Sequence, residues 1–241
     1  MVSLRHKIYY WDNVMRALFL TTAIALVYLA GAASAQSFNF EGAELSFTHT
    51  DSDLDYSGQH WRGSAEASVG SFGAQFDVSN FAYEGGLSYS SYGLHLNYRI
   101  NDSFAAGVFY TLDDWEGDEF ASTGIEAQYD LNQMSVEAAV VNYSGLGSIN
   151  SEFNFVSLDG SYDFGNGFSV LANAVNMTGD FEIGIVGVGV RYERSGAFVE
   201  ATVSQLSGER DQQNIGLEVG YAFGGSTTFE SRDWNGLVGL R

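Results

Sequence analysis

The 241-residue chain carries 30 acidic residues against ten basic ones, a formal net charge of −20, with 29 glycines and neither cysteine nor proline. Without cysteine there is no disulfide framework and no thiolate metal site, and so acidic a chain cannot neutralise the phosphates of a nucleic acid. The absence of proline suits long unbroken strands.

Residues 1–35 differ in kind from the rest. After Met15 and the basic Arg16, an apolar run extends from Ala17 to Ala30, and the small residues Ala33, Ser34 and Ala35 follow. This is the pattern of a secretory signal peptide cut before Gln36. Such a signal needs nothing upstream, so translation is expected to start at Met15, with residues 1–14 an extension of the gene model. An uncleaved membrane anchor is the alternative; the short apolar run and its small-residue end argue against it. Processing leaves seven arginines, no lysine and 29 acids, a net charge of −22.

From residue 36 onward there is no helical periodicity, linker or low-complexity tract. Apolar residues recur at every second position instead, as in Tyr92, Leu94, Leu96, Tyr98 and Ile100. That period predicts strands with one apolar face. In chain order they cover 38–48, 61–69, 72–79, 87–100, 104–113, 120–131, 134–143, 153–164, 168–177, 182–193, 197–206 and 213–223. Two are irregular. In 182–193 the phase shifts between Ile183, Ile185 and the run Val186, Val188, Val190, which points to a bulge. In 38–48, Phe38 and Phe40 are out of phase with Ala43, Leu45 and Phe47.

The connections alternate. Residues 70–71, 101–103, 132–133, 165–167 and 195–196 are tight; 49–60, 80–86, 114–119, 144–152, 178–181 and 207–212 are longer or more polar. An up-and-down sheet with short turns at one rim and longer loops at the other has this layout, and a soluble sandwich has no reason for it. The apolar face, rich in Val, Leu and aromatics at strand ends, is assigned to lipid and the other face to an internal space. Lipid offers no partner to a sheet edge, so the sheet must close. The fold class is therefore all-β: a transmembrane antiparallel barrel of about 12 strands over 36–223, with a C-terminal tail at 224–241.

The polar face carries Glu44, Arg62, Glu66, Asp77, His95, Arg99, Glu126, Asp130, Glu137, Asp159, Asp163, Arg191, Glu193, Glu200 and Glu218, eleven carboxylates against three arginines. If these line a watery lumen they concentrate cations and exclude anions. Keeping the lumen solvated is the blander use of the same acids. A bore of 12 strands lies between side-chain-filled and wide-open barrels. Gly187, Gly189, Gly216 and Gly220 leave room beside one wall.

At this point the chain resembles Gram-negative outer-membrane β-barrels of the porin type. The resemblance rests on hairpins such as LHLNYRINDSFAAGVFY and VSLDGSYDFGNGFSVLANAV, and on the final strand NIGLEVGY. Asn214, Gly216, Val219, Tyr221 and Phe223 resemble the C-terminal signal through which such barrels are read by the barrel-assembly machinery. The resemblance implies residence in the outer membrane, lipid as a partner, passage of small solutes or cations, no cofactor and no catalysis; oligomers, as in larger porins, stay open. One departure is the tail, GGSTTFESRDWNGLVGLR, where typical porins stop at an aromatic. Phe229, Trp234, Leu237 and Leu240 make three fates conceivable: disorder, a plug folded into the lumen, or an added strand.

The residues also bear on other functions. A serine nucleophile needs a histidine in reach, and Ser91 lies too far along its strand from His95. His49 and His60 flank a loop holding Asp51, Asp53 and Asp55, but the spacing matches no strong hydrolase or metal motif. A non-conducting structural or adhesin barrel is the principal alternative, weakened by short outer loops.

Overall fold

The computed structural model describes residues 38–54, 57–84, 86, 88–145, 152–179, 182–208 and 211–232. The signal sequence, Asp55, Asp180, Glu209, Trp234, Leu237 and Leu240 lie outside the described residues.

Twelve strands occupy the described residues: β1 (Phe38–Ser52), β2 (Ser57–Val69), β3 (Phe72–Tyr83), β4 (Ser88–Asn101), β5 (Phe104–Trp115), β6 (Asp118–Leu131), β7 (Met134–Gly145), β8 (Glu152–Asp163), β9 (Phe168–Gly179), β10 (Ile183–Arg194), β11 (Ala197–Ser207) and β12 (Gln212–Phe223). Each pairs antiparallel with its chain neighbours, and β1 pairs with β12 from Ala43↔Phe223 to Ser52↔Asn214, which closes the barrel. No strand edge is left for lipid to face, and every ladder is satisfied within the ring.

The outer surface is oily. Ile125, Val188 and Ile215 are 62–65% exposed, and Leu45, Leu96, Val108, Val140, Val156 and Leu217 stand on the same surface. In water this would be an untenable apolar area; in a bilayer it is the solvent-matched side. At the short-turn rim the outward residues become aromatic. Phe72 packs on Tyr98 at 4.9 Å, Phe168 on Tyr192 at 4.7 Å and Tyr221 on Phe223 at 4.5 Å. Rings at that height form the girdle expected at a membrane–water interface.

The tight turns use backbone that few residues adopt. Ser195 and Gly196 both have positive φ, 54° and 84°, the two-residue reversal whose twist matches the flanking strands. Glu116 and Gly117 do the same at the opposite rim, with φ of 53° and 97°. The predicted link 114–119 is therefore corrected to a two-residue turn. Asp51, Asp114, Asp118 and Glu119 belong to strands rather than loops. The period-two signal fades there because both faces of these strand ends carry polar residues, while the backbone ladder continues.

The bulge expected in 182–193 is absent. β10 keeps unbroken register with β9 and β11 from Ile183 or Gly184 onward. Ile183 and Ile185 point inward, while Val186, Val188 and Val190 point outward. A shifted register occurs instead between β4 and β5, at Arg99/Asn101.

The reason for inward isoleucines is a second departure from the sequence reading, which assigned the inner face to polar residues. Toward the long-loop rim one wall of the interior is apolar, while buried polar groups such as Thr50, His60, Asp113 and Asn214 line the rest. Phe109, Val141, Tyr143, Phe153, Phe155, Val175, Met177 and Ile185 form one buried cluster, with Phe120, Ile183 and Leu206 packed on it. An aromatic arc extends it around the wall: Phe81 stacks on Tyr89 at 5.6 Å, Tyr89 on Trp115 at 5.1 Å, and Phe120 on Tyr143 at 5.4 Å. The outward half of the bore is thus packed side chain, and the inward half is polar.

The lipid-facing assignment has a direct check. Val188→Arg places a charge on the outer band and should destabilise the barrel by about 2–4 kcal/mol if the site lies near the bilayer midplane. Reversible denaturant unfolding in lipid vesicles reads that loss.

Candidate functional site: the bore and its C-terminal occupant

After β12 the chain turns into the barrel. Gly224 has φ of 78°, and Gly225 then passes the backbone of β1. A Cβ at Gly42 would sit 2.2 Å from the Gly225 carbonyl oxygen. Only two glycines allow so close a crossing.

Residues 226–232 cross the bore, and the inner wall satisfies them. The Thr228 amide donates to Glu66 Oε2 at 2.5 Å, and its hydroxyl donates to Glu66 Oε1 at 2.8 Å. Gln75 binds Phe229 reciprocally: its Oε1 accepts from the Phe229 amide at 3.1 Å, and its Nε2 donates to the Phe229 carbonyl at 2.7 Å. This is a side-chain imitation of a strand ladder. The Glu230 amide donates to Glu137 Oε2 at 3.2 Å, and Arg99 donates to Thr228 Oγ1 at 3.3 Å.

Phe229 is 1% exposed. Its ring lies 6.3 Å from that of His95, which in turn lies 5.5 Å from Phe109. Gly107 makes the space, since a Cβ there would come within 2.8 Å of the Phe229 ring. Burial of such a side chain is worth about 1.5–3 kcal/mol. Phe229 thereby joins the tail to the lower edge of the apolar cluster.

Arg232 is 2% exposed. Its Nε donates to Glu126 Oε2 at 3.1 Å, one terminal nitrogen pairs with Glu137 Oε1, and the other lies 3.8 Å from Asp159 Oδ2 and 3.5 Å from Ser157 Oγ. A buried guanidinium needs such a set of oxygens; stripping one partner from a buried ion pair costs about 3–5 kcal/mol.

Apart from Asp130, and from Asp163, which is exposed and accepts from the Gly165 amide, the sequence-predicted inner residues fall into four groups. Glu66, Arg99, Glu126, Glu137 and Asp159 hold the tail. Asp77 and Glu126 flank His95, with Asp77 Oδ2 2.8 Å from Nε2 and Glu126 Oε1 hydrogen-bonded to Nδ1 at 2.7 Å. Arg62 pairs with Glu218 at 2.6 Å. Arg191 lies 3.4 Å from Glu44, 3.2 Å from Glu193 and 3.9 Å from Glu200, with its guanidinium 3.6 Å above the Phe198 ring. Asp130 stands apart from the ion pairs and accepts from Ser135 at 2.6 Å. The room expected at Gly220 is filled by Phe198, whereas Gly187 and Gly189 do border a small cavity of about 90 Å³.

Two larger cavities flank the tail toward the short-turn rim. One, of about 430 Å³, is lined by Glu44, Arg62, Asp130, Arg191, Glu193 and the tail. The other, of about 300 Å³, is lined by Glu41, Arg99, Asp102, Asp130 and the start of the tail. Of the residues proposed as an assembly signal, Asn214 and Gly216 face the interior, while Val219, Tyr221 and Phe223 lie on the oily surface.

Sequence reasoning passed over Arg232, Gln75 and the buried Asp113. Arg232 had a signal: it is a scarce cation three residues beyond Phe229, in a stretch, 224–233, otherwise of glycine and small or acidic polar residues. The histidines weighed for catalysis do not converge. His49 is half-buried and lies 3.4 Å from Asp51, whereas His60 is buried edge-on against Phe81. Among the described residues no group of three or more His, Cys, Asp or Glu is arranged to hold a metal.

A closed ring with an oily band, an aromatic girdle and a charged interior defines a transmembrane barrel of the outer-membrane type. The chain belongs to the Gram-negative porin family, whose model matches residues 67–231, and it resides in the outer membrane. Among solved structures it is similar to the NanC porin, with a TM-score of 0.62 at 5% identity, over 73% of this chain and 98% of that one. It is also similar to the KdgM porin, with a TM-score of 0.56 at 14% identity, over 75% of this chain and 99% of that one. KdgM has also been solved in complex with disordered oligogalacturonate. An outer membrane channel from Pseudomonas putida F1 gives a TM-score of 0.56 at 11% identity, over 79% and 98% of the two chains. No curated protein matches the sequence.

The seated tail is open to chemical test. Trypsin should leave Arg232 uncut in the folded protein. Gly42→Val should push the tail off β1 and expose that bond, so that intact-mass spectrometry records loss of residues 233–241. Equal cleavage of both proteins would contradict the seating of the tail.

Proposed function

We propose that the protein is a non-enzymatic outer-membrane channel for small solutes that favours cations. The observation that carries this reading is the inward cavity beside the tail, lined by Glu44, Asp130, Glu193 and Glu230 as well as Arg62 and Arg191, while Glu137 on the same wall is taken up by Arg232. A low-dielectric wall focuses such an excess, raising local cation concentration. Oligogalacturonate, held by the KdgM porin in its complex, is a polyanion; the fold likeness brings no such cargo here, and the acids on this wall would repel one. The closing strand, with Asn214, Gly216, Val219, Tyr221 and Phe223, serves in this reading as the segment offered to the barrel-assembly machinery.

A second reading has its own observation. The packed outward half favours a barrel that does not conduct, and the cavities would then be no more than a vestibule.

Planar-bilayer recording separates the two. Under a salt gradient, open channels should give a zero-current potential of cationic sign. Neutralising the vestibule with Asp130→Asn and Glu193→Gln together should shift that potential toward zero without abolishing current. An anionic sign would refute the charge preference, and silence over many insertions would favour the second reading.

A further inference from the structure

The seat of Arg232 is built from three adjacent strands: Glu126 on β6, Glu137 on β7 and Asp159 on β8. Their side chains are 0%, 9% and 14% exposed. The cluster is more than a patch of acid, because a guanidinium occupies it and the Ser157 hydroxyl adds a further oxygen. Such a seat cannot simply be vacated, since removing the cation leaves buried carboxylates uncompensated. It can be exchanged. A free guanidinium offers the same planar fork of donors, whereas an ammonium is a compact point charge that cannot match it.

The tail is suited to being exchanged. Its described residues, 224–232, form no strand, and their wall contacts are hydrogen bonds and ion pairs, with Phe229 the large apolar anchor among them. Cavities of about 430 and 300 Å³ lie against it on the short-turn side. They give a small cation a route toward the seat.

We propose that this seat is a binding site for small guanidinium cations, that the C-terminal tail is its tethered occupant, and that a guanidinium arriving from the short-turn side displaces Arg232 and opens the bore. The opening rests on the conduction proposed above; the binding site does not. Withdrawal of Arg232 draws Phe229 from its place beside His95 and removes the support under the apolar cluster. The chemistry selects molecules with a terminal guanidinium; argininamide is the probe, its α-ammonium matched in the lysinamide control.

The test uses the full-length chain and argininamide, with lysinamide at equal ionic strength as control. By calorimetry in detergent, Arg232→Gln should bind argininamide at least tenfold more tightly than the native protein, and lysinamide weakly. In bilayers, argininamide on the short-turn side should raise the native open probability at least tenfold. Arg232→Gln should be open without it and gain no further opening from it. Phe229→Ala leaves the seat intact and should lower the argininamide concentration needed at least tenfold; it serves if Arg232→Gln fails to reach the heat-modifiable folded form on gels. Equal affinity of native and variant proteins, or equal response to lysinamide, would overturn the site. Selective binding with no current in any variant would keep the site and remove the conduction reading. Cation-selective current without argininamide binding would do the reverse.

Discussion

Hydrocarbon cannot hydrogen-bond a peptide group, and that single fact organises this chain. Every amide placed at membrane depth must find its partner in a neighbouring strand, so the last strand has to meet the first. The β1–β12 ladder, ten residue pairs from Ala43↔Phe223 to Ser52↔Asn214, is where that demand is met. Once the ring is shut, alternation does the rest. Each strand sends one set of side chains to lipid and the other to the interior, and the interior must then be filled, solvated or charged.

The protein uses all three answers at different heights. Near the long-loop rim, aromatic and aliphatic side chains fill the bore as they would fill a soluble core. Near the short-turn rim, carboxylates and arginines border water-sized space. Between them lies the tail, which has an apolar foot in Phe229 and a charged one in Arg232. It is the element that reconciles the two halves, since Phe229 meets His95 beneath the cluster while Arg232 meets the acids of β6–β8.

Much of this was legible beforehand, for a physical reason. Membrane barrels repeat one instruction, and the alternation in Leu94–Leu96–Tyr98 or Val186–Val188–Val190 states it without tertiary help. What alternation cannot state is an inner face that turns apolar. Val140–Val141, Phe155–Val156 and Ile185–Val186 are apolar at successive positions, the mark of a strand buried on both sides; in β10 that mark reads equally well as a slipped phase. The hairpin at Glu116–Gly117 was hidden differently, because strand ends that project beyond lipid have no apolar face to reveal them. The site was half legible. The parity of Glu66, Glu126, Glu137 and Asp159 follows from their strands, but their occupant comes from a segment with no period at all, and only the folded ring brings Arg232 among them.

Chain order gives the seat one more property. Glu126, Glu137 and Asp159 sit on consecutive strands near the middle of the sequence, whereas Arg232 follows all twelve. Pairing β6, β7 and β8 sets three carboxylates side by side, and the cation that balances them comes from beyond the closing strand. The seat is complete only when the tail is in place.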